Sequence, residues 1–218
     1  MMIIFRSRIK KNSLKLALLT SALASISVFL VVHRTGPSEI VAASTVNEAS
    51  ISASADPARS RAAFNEAVKV FFSARCANCH PGGDAPTQGD AMTVHTMEVK
   101  RGPDGRGVGE LKCTTCHQEI NLDGDSMPPG APDWHMPGEK QKMPFQGITA
   151  AQLCRNLKDP KQNGGLKTPK DAVKHLETDP KVLWAWEPGN GRKVPPMSHA
   201  DFVKKMNEWV AGGAVCPD

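Results

Sequence analysis

Between Pro81 and Phe145 the chain holds almost no stretch able to make a long helix or an alternating strand, because Gly, Pro, Asp and other polar residues dominate it. A segment this poor in apolar periodicity orders itself around something large and apolar that its own side chains do not supply. Two short cysteine motifs sit at its start and inside it. Cys76-Ala-Asn-Cys79-His80 leads into the segment, and Cys113-Thr-Thr-Cys116-His117 follows 37 residues later.

In Cys-x-x-Cys-His the two thiols lie within one helical turn and face the same side, so each can add to a vinyl group of one porphyrin. The histidine that follows is then placed to ligate the iron. The spacing predicts two covalently attached haem c groups, on Cys76 and Cys79 and on Cys113 and Cys116, with His80 and His117 as proximal iron ligands. A thioredoxin-like redox pair needs a βαβ context that this sequence lacks. A zinc site combining the four cysteines leaves the histidine after each pair unexplained.

The second axial position of each iron decides the chemistry: filled by His or Met it serves electron transfer, left open it serves catalysis. His95, between the motifs, is expected to fold back over the first haem. His135, 18 residues beyond His117, is expected to cover the second. Met92, Met97, Met136 and Met143 are the alternative donors. His175 and His199 fall on predicted helices with exposed-looking neighbours and are expected to be solvated. Trp184, Trp186 and Trp209 are expected to close the core or pack on a haem edge rather than conduct electrons. Asn121 to Asp125 reads as a turn, since it lacks the later Glu of a calcium loop.

Cys154 and Cys216 lie outside both motifs. In an oxidising compartment a leftover pair most simply forms a disulfide, the alternative being a thiolate ligand or reactive thiol.

Helix signals frame the irregular segment. Asp56-Pro57 starts a helix carrying Phe64, Val68, Phe71 and Phe72 on one face; Thr149 with Gln152 makes a capping box; Thr168-Pro169 starts another helix; and Ser198 leads to Phe202, Met206, Trp209 and Val210 before Gly212-Gly213. The fold class expected is mostly α with long irregular loops, a haem-centred core of di-haem cytochrome c type, and little or no β-sheet.

Residues 1–34 carry six basic residues and no acidic one, with an apolar run from Leu16 to Val32. This is an export pattern, a signal peptide or a short membrane anchor, and both remain open. Residues 35–55 read as a Ser/Ala-rich linker and 56–218 as the di-haem domain. The expected location is the periplasm, soluble or tethered to the inner membrane by residues 16–32. The formal charge of +5 comes from the leader: residues 1–43 hold six of the 27 Lys and Arg and one of the 22 Asp and Glu, leaving 21 of each. No basic patch interleaved with aromatics remains to argue for nucleic acid.

The string from His80-Pro-Gly-Gly-Asp to Asp90, then Cys116-His-Gln, Pro129-Gly-Ala-Pro-Asp-Trp-His135, Trp186-Glu-Pro-Gly and Cys216-Pro217 resembles a group of small bacterial di-haem proteins. Some of these carry the label isoquinoline 1-oxidoreductase subunit. The resemblance spans roughly residues 60 to 218 and implies an electron acceptor beside a molybdenum hydroxylase, with His80 and His117 as haem ligands. The chain itself has no molybdopterin domain and no ferredoxin-like cysteine spacing.

The function expected is electron transfer between a periplasmic or membrane-bound dehydrogenase and a downstream redox carrier. The alternative is a di-haem enzyme, a peroxidase or sulfur-compound oxidoreductase, with one open iron and Glu119 or Asp133 as the nearest acid/base groups in sequence. A haem-based sensor is the weakest reading, since no output domain is visible.

Overall fold

The computed structural model describes residues 56–218. The leader over residues 1–34 and the linker over residues 35–55 lie outside the described residues. Helix α1 (Pro57–Phe71) starts where Asp56 accepts a hydrogen bond from the Arg59 amide at 3.0 Å, with Pro57 in the first turn where its missing N–H costs nothing. A short α2 (Ala74–Ala77) follows.

Two small hairpins come next, β1 (Thr87–Gln88) with β2 (Thr93–Val94) and β3 (Gly107–Val108) with β4 (Leu111–Lys112), both antiparallel. Each strand has only two residues, too few for an alternating pattern to register in the sequence. The C-terminal part returns to helix: α3 (Ala150–Lys158), α4 (Pro169–Thr178), α5 (Pro180–Trp184) and α6 (His199–Ala211). The protein is mostly helical with little sheet, as expected. Complete capping boxes start α3 and α4, and the Ser198 side chain accepts from the Asp201 amide at the start of α6.

The helices bury an apolar core of their own. Phe64 and Trp209 meet across α1 and α6 with ring centroids 5.2 Å apart, and Phe71 makes edge contacts of 5.2 Å with both Phe145 and Phe202. Leu153, Leu157 and Met206 complete the cluster from α3 and α6. Ser60, fully buried, donates to the Trp209 carbonyl at 2.7 Å and accepts from the Val215 amide at 2.9 Å, so this buried hydroxyl is satisfied twice. Gly212 ends α6 against α1; a methyl group there would press on the Ser60 side chain and the Asp56 carbonyl.

Cys154 and Cys216 are disulfide-bonded, which ties the end of the chain to α3. Among the described residues no helix is long and apolar enough to cross a membrane.

Candidate functional site

The first motif is set by the way α1 ends. The Ser73 hydroxyl donates to the Val70 carbonyl at 2.7 Å, the chain turns, α2 carries Cys76, and Cys79 and His80 follow in a turn closed by the His80 amide on the Ala77 carbonyl at 3.2 Å. His80 Nδ1 lies 2.8 Å from the Met143 carbonyl. A carbonyl only accepts, so Nδ1 carries the proton and Nε2 keeps a free lone pair. The ring also stacks on Phe145, centroids 4.0 Å apart and planes within 12°. Burial pushes the His80 pKa down to about 4 against the opposing pull of the Met143 carbonyl. The imidazole is therefore neutral, the form a metal ligand requires.

The second motif follows the β3–β4 hairpin, in a 3-10 turn over Cys113–Thr115. The amides of Cys116 and His117 both bond the Cys113 carbonyl, at 3.2 and 2.9 Å, which draws both thiols and the ring into one turn. His117 repeats the arrangement of His80: Nδ1 donates to the Pro129 carbonyl at 2.7 Å, and the ring stacks on Trp134 at 4.6 Å with planes 3° apart. Gly130 is required beside Pro129, because a methyl group there would collide with the carbonyls of Gln118 and Ile120.

None of the four motif cysteines is in a disulfide. Burial pushes Cys76 up to about 12 and Cys79 up to about 11, and raises Cys113 as well. Thiols held protonated in this way are poor nucleophiles, opposite to what a thioredoxin-type pair needs.

In front of the first motif lies a cavity of about 530 Å³. That falls in the range of cofactor pockets, on the order of 300–1,000 Å³. Cys76, Cys79 and His80 line one part of it, and Phe71, Leu157, Leu176 and Phe202 give it apolar walls. Arg75, buried at its edge, pairs with Asp90 at 2.7 Å and lies 6.0 Å over the Trp184 ring.

The further histidines do not sit where chain proximity suggested. His95, expected over the first motif, lies beside the second, its ring centroid 6.2 Å from that of His117 and the planes at 60°. The β1–β2 hairpin decides this: the His95 amide extends the ladder by bonding the Pro86 carbonyl at 2.9 Å, and the ring emerges toward a residue 22 positions downstream. Its Nδ1 faces the Thr96 carbonyl at 2.7 Å, so its Nε2 is free too.

His135, expected over the second motif, lines the first cavity, with Nδ1 donating to the Asp133 carbonyl at 2.6 Å. Of the methionines, Met136 and Met143 line that cavity, while Met92 and Met97 are exposed.

His175 is exposed, as expected, and it also borders the first cavity. The signal available in the sequence was its place one turn along the helix from Ala172, with Asp179 four residues on. His199 Nε2 donates to the Leu176 carbonyl at 3.0 Å and its ring meets Trp186 at 4.7 Å, which fastens α6 to α4.

Trp209 is core, Trp186 packs on Phe202, and Trp184 donates to Asn121 at 3.0 Å, all packing roles. Trp134, part of the Pro129–His135 string in the sequence but given no role there, stacks on His117 and also lines the first cavity. Asn121 to Asp125 forms turns held by Asn190, which donates to the Leu122 and Gly124 carbonyls.

No family model, curated protein or solved structure matches this chain.

Proposed function

We propose that this chain is an exported c-type cytochrome carrying two covalent haems, and that it passes electrons between a periplasmic or membrane-bound dehydrogenase and another redox carrier. The observation that carries this reading is the same local construction built twice. Two thiols and an imidazole share one tight turn, and each imidazole gives its Nδ1 proton to a backbone carbonyl and keeps Nε2 free. A backbone acceptor on the far nitrogen is how metal-ligating histidines are oriented and made more basic.

The residues present fit haem c. Cys76 and Cys79 would hold the first porphyrin in the apolar cavity with His80 on its iron, and Cys113 and Cys116 the second with His117. Iron in such a site accepts and releases one electron at a time. The His95 ring lies 6.2 Å from that of His117, so His95 would be the second imidazole available to the haem held there.

The basic, then apolar, N-terminal pattern supports export. The resemblance to small bacterial di-haem proteins supports an acceptor role beside a hydroxylase.

The test is the mass and the optical and low-temperature EPR spectra of the protein matured in a haem-attaching host, with and without carbon monoxide. Two haems per chain, both low-spin and indifferent to carbon monoxide, are expected. A chain that attaches none sinks the cytochrome reading. One high-spin haem that binds carbon monoxide replaces the carrier with an enzyme that keeps an open iron.

A further inference from the structure

We propose that the axial pairs cross the order of the chain: His135 is the distal ligand of the first haem, paired with His80, while His95 joins His117 on the second. This rests on the reading of the chain as a di-haem cytochrome and names the donor that each iron takes.

Two irons with both axial positions filled need four donors. Among the described residues four histidines share one construction, in which Nδ1 is tied to a backbone carbonyl and Nε2 keeps its lone pair. His80 donates to Met143 at 2.8 Å, His95 to Thr96 at 2.7 Å, His117 to Pro129 at 2.7 Å and His135 to Asp133 at 2.6 Å. His175 and His199 lack this construction. His175 is exposed, and the Asp179 carboxylate lies 3.6 Å from its Nδ1, beyond hydrogen-bond reach. His199 spends Nε2 on the Leu176 carbonyl at 3.0 Å. Of the four that remain, His95 and His117 are neighbours, with ring centroids 6.2 Å apart. His80 and His135 are left, and both line the cavity in front of Cys76 and Cys79.

The loop that carries His135 is fixed on either side of the ring. Asp133 takes a left-handed backbone angle, φ +56°, which a non-glycine residue keeps only where its surroundings hold it. Its carboxylate pairs with Arg106 at 2.6 Å and also lies 3.2 Å from His135 Nδ1, so both acceptors of Asp133 face that one nitrogen. The Met136 amide bonds the Gly105 carbonyl at 2.9 Å, and the approach is so close that a methyl group on Gly105 would collide with the Met136 carbonyl. Between these anchors Trp134 stacks on His117 while His135 lines the first cavity, so adjacent residues serve the two sites. Met136, buried in the same wall, is the remaining rival donor, and its thioether is told apart from an imidazole by NMR.

The experiment uses the holoprotein. In two-dimensional NMR of the reduced, diamagnetic form, each haem's thioether protons identify its cysteines and its other protons identify its axial side chains. The haem on Cys76 and Cys79 is expected to show the rings of His80 and His135, and the haem on Cys113 and Cys116 those of His117 and His95. A His95 or His175 ring, or a methionine methyl, on the haem of Cys76 and Cys79 overturns the proposal. His135→Ala is expected to keep both covalent haems, turn one of them high-spin by EPR and bind one carbon monoxide per chain, and added imidazole returns that haem to low spin. His95→Ala is expected to do the same to the other haem, and the double variant to bind two carbon monoxide molecules per chain. Two low-spin haems in His135→Ala overturn the proposal, as does a carbon monoxide site opened by Met136→Leu or His175→Ala instead. Should His135→Ala fail to mature, the NMR of the unmodified holoprotein still decides. Absence of haem from the unmodified chain defeats the cytochrome reading itself, so the two failures are distinguishable.

Discussion

Arg101 shows how a single side chain holds the loops around the first motif. Its guanidinium is almost fully buried, donating through Nη1 to the Pro137 carbonyl at 2.6 Å and through Nη2 to the Gly83 carbonyl at 3.1 Å, with the Asp84 carboxylate 4.0 Å from Nε. It joins the loop after His80 to the loop that carries Met136. Removing it leaves two carbonyls without their donor, each costing about 1–3 kcal/mol. Arg101→Ala is expected to lose about 3 kcal/mol of unfolding free energy in a urea titration of the holoprotein. Arg101→Lys recovers less than half, because one ammonium cannot reproduce the fork that reaches both carbonyls.

At the scale of elements, the first and last helices and the disulfide form a frame that does not depend on the irregular segment. α1 lies on α6 through Phe64 and Trp209, and Cys154–Cys216 closes a loop of 62 residues that takes in α4, α5 and α6. By the chain-entropy relation, a loop of that size stabilises by about 4 kcal/mol. The Cys154→Ala, Cys216→Ala double variant is expected to show a loss of that order in equilibrium denaturation, with the haem spectra unchanged. A change in spin state would mean that the bridge also positions a haem ligand. The tie has a second strand in Lys158, which donates to the Ala214 carbonyl at 2.8 Å and holds the same two segments together.

For the molecule as a whole, the division is between helices that bury their own core and a segment, 81–145, that buries little. Six of its non-glycine residues, Met92, Met97, Glu98, Ser126, Asp133 and Met143, take left-handed backbone angles. Each such residue costs on the order of 1–3 kcal/mol and persists only where its surroundings over-determine it. Two porphyrins bonded to the chain at both motifs would supply that determination. With all four motif cysteines changed to serine, the far-UV signal of the helices is expected to survive. Amides across 81–144 are expected to exchange almost freely by hydrogen exchange, while those of α1 and α6 stay protected. Equal protection in the haem-free chain would show that the segment's own turns suffice to order it.

The helix starts were legible in the sequence because caps are local: Asp56, Thr149, Thr168 and Ser198 each act within three residues. The Cys-x-x-Cys-His turns were legible for the same reason, and Cys154 and Cys216 were the two cysteines left outside them. The surroundings of the further histidines were not. His95 lies 15 residues from His80 and 22 from His117, yet a two-residue ladder turns it toward the more distant ring. His175 reads as a surface residue of an amphipathic helix and remains exposed, and only the packing of α4 brings it to the rim of the cavity that Cys76 also lines. Trp134 gains its place under His117 only when the loop from Pro129 folds back. Spacing along a chain specifies what one turn can hold, whereas which donors face each other depends on contacts between distant elements, and these are decided by packing.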